Sequence, residues 1–245
     1  GEQFDIHGGG LDLLFPHHEC EIAQSVAANG NEAVRYWMHN NMITIDGQKM
    51  ARSLNNFITL RELFSGDHEK LERAYTPMNI RFFILQAHYG STLDFSNEAI
   101  QAAEKGLHRL LKAIENLDQV QADSNSSFDI RLIMNNCYNA LNDDLNTPVA
   151  IAQLFEGVKY INLLLENKES LSEADLIAFQ SFMHVVTEDV LGIKQENVSG
   201  ENDLEENLMK LIIDIRLEAR ANKDYSTSDT IRDKLANLVI SLKDG

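Results

Sequence analysis

Two hydrophobic patterns follow one another along the chain. Up to about residue 60, apolar residues fall in short strand-like runs, Phe4-Asp5-Ile6 and Met42-Ile43-Thr44-Ile45. A helical run from about Pro16 to Ala28 lies between them. Glycine is dense in the same stretch, at Gly8-Gly9-Gly10, Gly30 and Gly47. The mixture predicts part of an α/β unit. Its first strand-like run begins at residue 4, which leaves no room for a preceding βαβ unit, so the pattern enters the fold midway.

Beyond residue 60 the period becomes helical. Leu107, Leu110, Leu111, Ile114 and Leu117 recur at three- and four-residue spacing, the stripe of one helix face. Asp123-Ser124-Asn125-Ser126-Ser127 has no apolar anchor and reads as a linker. A second helical block spans about 128–192, with a helix start at Asn146-Thr147-Pro148 and a C-cap at Gly192. A polar break at 195–203 precedes a long helical pattern from 204, interrupted near Asp224-Tyr225-Ser226. The predicted order is an α/β piece over 1–60, connecting helices over 61–120, a bundle over 128–192 and C-terminal helices over 204–245. The fold class is α/β then all-α, predominantly helical.

Composition narrows the class. The chain has 245 residues, 44% hydrophobic and 24% charged, within the globular range. No apolar window approaches the length of a membrane span, and the first residues lack the basic and apolar regions of a signal peptide. Cys20 and Cys137 cannot build a disulfide framework, so a reducing, cytoplasmic setting is expected. The net charge of −17 excludes a small basic nucleic-acid binder. Residues 121–200 hold 4 basic and 12 acidic side chains, which makes the bundle the surface least suited to phosphates.

Candidate chemistry gathers early. Three glycines after a strand let the backbone approach a ligand closely, or simply make a tight strand-to-helix turn. Asp12 beside them can accept from a ribose hydroxyl or a substrate ammonium, or can cap a helix. His17 and Glu21 stand four residues apart, and on a helix begun by Pro16 they share a face, a spacing that suits two zinc ligands or a solvated face. Lys49 and Arg52, three apart in Lys49-Met50-Ala51-Arg52-Ser53, can neutralise a triphosphate or form a solvated basic loop.

Taken together, these segments resemble cysteinyl-tRNA synthetases. The resemblance is carried by FDIHGGGLDLLFPHHECEIAQ, YWMHN, GQKMARSLNNF and RFFILQAHYGSTLDFS, in order. It continues through ALNDDLNTPVAIAQLF and RLEARANKDYSTSDTIRDKL, covering nearly the whole chain. It implies a class I aminoacyl-tRNA synthetase with a Rossmann catalytic domain, a stem-contact segment, a helical bundle and an anticodon-binding end. The implied reaction joins cysteine and ATP, with Mg²⁺, into cysteinyl-adenylate and then transfers cysteine to tRNA(Cys), in a monomer. His17 and Glu21 match two zinc ligands, and the metal implied holds the substrate thiolate, separating cysteine from serine. His7 matches a histidine of the amino-acid pocket. Gly10 and Asp12 match the segment that touches adenosine or amino acid.

Lys49 to Ser53 match the mobile loop usually written KMSKS. Here Arg52 replaces its second lysine and Ala51 a serine, which keeps the charge and alters its geometry. Cys20 stands where many family members carry asparagine and is read as a neighbour of the site. The family's HIGH-type ATP signature and two cysteine ligands of zinc have no counterpart here, so the chain alone is expected to bind zinc poorly and not to activate cysteine. Arg216, Arg220 and Lys223 either face tRNA or lie on a solvated helix face. Two other readings stand beside this one: an acidic helical interaction module without catalysis, and the related cysteine ligase of mycothiol biosynthesis.

Overall fold

The structure, a computed structural model, describes residues 3–196, 211–216, 218–220 and 224–237. Two compact units divide at Gln195 and Glu196. In the first unit, strand β1 (Phe4–Gly10) runs parallel to β2 (Val34–Asn40), with Ile6 opposite Tyr36, Gly8 opposite Met38 and Gly10 opposite Asn40. The glycine triplet therefore lies within the paired strand, and the tight turn expected of it follows at Leu11–Leu13. Helix α1 (Glu19–Asn29) joins the two strands and ends at Gly30, whose φ of 76° is the left-handed geometry glycine adopts without strain.

The helical run expected from Pro16 is present: a wide helical turn over Leu14–His18 leads directly into α1 at Glu19. Phe15, the residue before Pro16, is extended (φ −127°, ψ 130°) and separates the Leu11–Leu13 turn from this helical run. Asp12 is not the cap of these elements. Gly10, Leu13 and His18 stand at the successive N-terminal ends, and none has a side-chain capping bond.

A second sheet has the order β4-β3-β5, formed by β3 (Ile43–Ile45), β4 (Gln48–Lys49) and β5 (Leu93–Phe95). β3 and β4 make a hairpin turned at Asp46 and Gly47, both at positive φ. The Asp94 carboxylate ties the turn down, accepting from the Thr44 hydroxyl at 2.6 Å and the Gly47 amide at 2.8 Å. These two bonds hold its pKa below the usual carboxylate value. Between β4 and β5 come α2 (Leu60–Ser65) and α3 (Pro77–Leu85), and Phe83 of α3 packs edge-on against Phe95 at 5.4 Å.

The helical body follows: α4 (Asn97–Leu117), α5 (Ile130–Asn142), α6 (Thr147–Leu165) and α7 (Glu173–His184). Each begins at a side-chain cap, from Ser96, Asp129, Asn146 and Ser172 respectively. The predicted stripe is the buried face of α4, where Leu107, Leu110, Ile114 and Leu117 join the core. Cys137 is buried in the same core, and desolvation pushes its thiol up to about 11.

Asp123–Ser127 is a strap, not a free linker. The Asp123 amide donates to the Leu171 carbonyl at 2.8 Å, and the Ser127 amide donates to the Ser170 carbonyl at 2.9 Å. Hydroxyl groups that look solvent-seeking in sequence find partners on the segment leading into α7, among them Ser126 with Ser172 at 3.3 Å. In the second unit, residues 211–216 and 218–220 are helical, and a further helix spans Tyr225–Asn237. Asp224 accepts from the Thr227 amide at its start, at 3.1 Å. No described helix is long and apolar enough to cross a membrane.

Candidate active site

The end of β1 and the start of α1 bring together His7, His18 and Glu21. One ligand atom from each lies within 4.8 Å of the others. The Nδ1 of His7 is buried, lies 3.4 Å from Glu21 Oε2 and makes no hydrogen bond. His18 is buried, and its Nδ1 shares a 2.8 Å hydrogen bond with Nε2 of His39 on β2. That bond occupies one ring nitrogen of His18 and leaves the other for a ligand.

Trp37 completes an aromatic wall. Its ring stacks on His7 at 4.6 Å, and its buried Nε1 has no hydrogen-bond partner. Trp37 and His39 lie two apart on β2 and therefore project from one face. Their spacing was the available signal for two residues that the sequence reading did not single out.

Glycine leaves room here for close approach. A Cβ on Gly9 would stand 2.6 Å from Cε1 of His18, and one on Gly10 would stand 2.3 Å from Oδ1 of Asp12. The bare backbone thus lets the imidazole and the carboxylate lie against the strand. Asp12 itself is exposed, with its carboxylate beside Gly10.

His17 does not join the trio. It is exposed, whereas its neighbour His18 is buried. His17 and Glu21 stand four apart on the helical stretch that follows Pro16, but His17 is exposed and is not among the gathered ligand atoms. Cys20 is exposed and is not part of the trio.

Lys49 ends β4, and Arg52 lies in the short helical turn that follows it. Both are exposed. The Arg52 guanidinium lies over the Phe57 ring at 5.2 Å. Beneath the loop, the Asn56 side chain bonds the backbone at residues 49 and 51. In the second unit Arg216 is buried and Arg220 exposed, so these two do not form one open basic face; Lys223 lies outside the described residues.

Residues 1–105 match the family model for the tRNA synthetases class I (C) catalytic domain, and residues 136–195 match the DALR domain. The chain is 53% identical over 246 residues to a cysteine–tRNA ligase of Parabacteroides distasonis, covering 100% of this chain and 50% of that protein. It is 52% identical over the same length to one of Bacteroides fragilis, with the same coverage. A cysteine–tRNA ligase of Chlorobium chlorochromatii is 44% identical over 250 residues, again 100% of this chain and 50% of that protein. The chain thus spans about half the length of the curated relatives it matches. Among solved structures, the LeuRS of Agrobacterium radiobacter K84, in a ternary complex with tRNA and LeuAMS, is similar in fold. Its TM-score is 0.52 at 16% identity, over 74% of this chain and 25% of that one.

Proposed function

We propose that the chain belongs to the cysteine–tRNA ligases among the class I tRNA synthetases and carries the cysteine-binding and signature-loop part of an enzyme that attaches cysteine to tRNA(Cys) through cysteinyl-adenylate. The observation that carries this reading is the trio of His7, His18 and Glu21 against the glycine strand.

That trio fits zinc. Two imidazoles and a carboxylate are ligand types zinc accepts, and the buried His7 Nδ1 makes no hydrogen bond that a metal would have to break. Glu21 would hold the ion with His7 and His18, which the geometry gathers, or with His17, which the family resemblance implies. When bound, zinc supplies a soft acceptor for a thiolate, a preference that separates cysteine from serine.

The other roles fall to the chain's own groups. Gly10 leaves the strand open for a ligand to lie against the backbone. Asp12 accepts from the substrate ammonium or a ribose hydroxyl. Trp37 and His7 wall the amino-acid pocket. Lys49 and Arg52 face the charge that develops on the ATP phosphates, with Mg²⁺, as pyrophosphate leaves. Arg52 keeps its charge throughout and presents a planar fork where the family carries a compact ammonium. The tRNA(Cys) acceptor end then receives the cysteinyl group, in a cytoplasmic monomer.

Cysteine-dependent ATP–pyrophosphate exchange by the synthetase that contains this chain tests the proposal, together with its zinc content. Lys49→Ala is expected to lower exchange on the order of a hundredfold or more. Glu21→Gln is expected to lower zinc content and to erase the preference for cysteine over serine. His17→Ala and His18→Ala, compared by zinc content, identify the histidine ligand. Unchanged exchange in Lys49→Ala together with unchanged zinc in Glu21→Gln would overturn the assignment. The isolated 245-residue chain is expected to bind zinc weakly and to show no exchange.

A further inference from the structure

The loop that carries Lys49 and Arg52 is built in two unlike halves. Residues 49–51 are fixed by backbone bonds to β3 and by bonds to the Asn56 side chain. Lys49 pairs with Thr44 across the hairpin, and the Met50 amide donates to the Ile43 carbonyl at 3.1 Å. The Ala51 amide donates to Oδ1 of Asn56 at 2.8 Å, and Nδ2 of Asn56 donates to the Lys49 carbonyl at 3.0 Å. Asn56 is 3% exposed, and both polar ends of its side chain are used inside the loop.

Residues 52–55 have only local bonds. The Leu54 amide donates to the Ala51 carbonyl and the Asn55 amide to the Arg52 carbonyl, each at 3.1 Å. Asn55 turns the chain at a φ of 53°. Arg52 rests on the exposed face of Phe57, a contact that an anion can outcompete at little cost.

We propose that Asn56 is a positioning residue: it closes residues 49–56 into a preformed ring that presents Lys49 to the triphosphate, and it confines the loop's movement to the half bearing Arg52. This rests on the reading of Lys49 as a phosphate contact. The chemistry of Asn56 is specific. One donor and one acceptor on a short planar amide are needed to grip an N–H and a C=O two residues apart. Alanine satisfies neither, and the Ala51 amide and Lys49 carbonyl are then left buried or must turn outward. A ring made in advance spares a ligand the cost of ordering it.

Two measurements test the proposal, with inorganic tripolyphosphate as the probe. The first is amide hydrogen exchange on the unaltered chain. Ala51 is expected to be protected before any ligand is added, and tripolyphosphate is expected to slow only residues 52–55. An Ala51 amide that exchanges as fast as Ser53 until the ligand arrives would overturn the preformed ring.

The second is a double-mutant cycle by titration calorimetry. Asn56→Ala is expected to weaken tripolyphosphate binding about tenfold, the size of one loop-ordering cost. It is expected to have no effect in a Lys49→Ala background, because its influence runs through Lys49. Equal losses in both backgrounds would reduce Asn56 to a general structural part and overturn the proposal, as would unchanged binding by Asn56→Ala. If Lys49→Ala alone binds tripolyphosphate like the unaltered chain, the phosphate role of Lys49 fails, whereas the exchange data still judge the ring.

Discussion

The helical body and the first sixty residues use apolar side chains differently. In α4 to α7, Ile100, Leu110, Leu154, Ile161 and Phe179 have no exposed surface. In the first sixty residues Phe15 is 79% exposed, Tyr36 68% and Ile6 59%. The buried hydrophobic residues described there are Val34, Ile45 and Ile58. A parallel strand pair is ordinarily covered on both faces, and here β1 and β2 carry large apolar groups in solvent. The body therefore supplies most of the burial that opposes chain entropy, while the chemistry sits on a thinly packed surface.

The sharpest way to break that comparison is one substitution on each side. Leu154→Ala in α6 empties a fully buried position and is expected to cost about 3 kcal/mol in urea unfolding. Ile6→Ala in β1 removes a mostly exposed side chain and is expected to cost less than about 0.5 kcal/mol. Equal costs would show that the strand pair is buried as deeply as the bundle.

Next in size is a test inside the thin region. Gly9→Ala places a Cβ 2.6 Å from His18, whereas Gly8→Ala meets nothing closer than the Met38 carbonyl at 3.9 Å. Gly9→Ala is expected to cost about 2 kcal/mol by overpacking and, if His18 is the histidine ligand, to lower zinc affinity by displacing it. Gly8→Ala is expected to leave both nearly unchanged. Identical behaviour of the two variants would remove the close approach as the reason for the triplet.

What the sequence makes legible follows the same divide. The stripe on α4 is readable because a buried helix face repeats at a fixed period, and the Asn146 start because proline and a capping side chain coincide there. β2 is not readable: Val-Arg-Tyr-Trp-Met-His-Asn has no clean alternation, and its pairing partner is a glycine run with no pattern of its own. The strap at 123–127 has the composition of a linker because its hydroxyl groups are satisfied by distant residues. The site's neighbourhood is legible from His7, the glycines and Glu21. His17 and His18 both stand within one helical turn of Glu21, so spacing alone does not tell which of them is buried.

Helix ends sharpen the comparison at about 1 kcal/mol. Ser96 caps α4 by accepting from the Ala99 amide at 3.2 Å, whereas α1 has no side-chain cap. Ser96→Ala is expected to lower the melting temperature by the equivalent of about 1 kcal/mol. His18→Ala removes no cap, so any loss there reports packing and site geometry alone.

The smallest effect concerns a polar seam of the otherwise apolar body. His184, at the end of α7, bonds Glu188 at 2.7 Å through Nδ1 and Asp118 at 3.1 Å through Nε2. The Glu188 bond first, then the Asp118 contact, hold its pKa above the ordinary 6.5. A raised folded value means that the charged form is favoured in the fold. The resulting stabilisation is complete below about 6.5 and is lost as pH rises through the raised value. Solvent reaches the imidazole, so the effect stays below about 1 kcal/mol and shrinks in high salt. The useful quantity is a difference between two proteins that share every other ionisable group. Urea stability of the parent minus that of His184→Gln, followed from pH 5 to 9, is expected to fall with rising pH, and to flatten at 1 M salt. A flat difference at low salt would mean that Glu188 and Asp118 do not favour the charged imidazole, and that the body owes its stability to its apolar core without help from this seam.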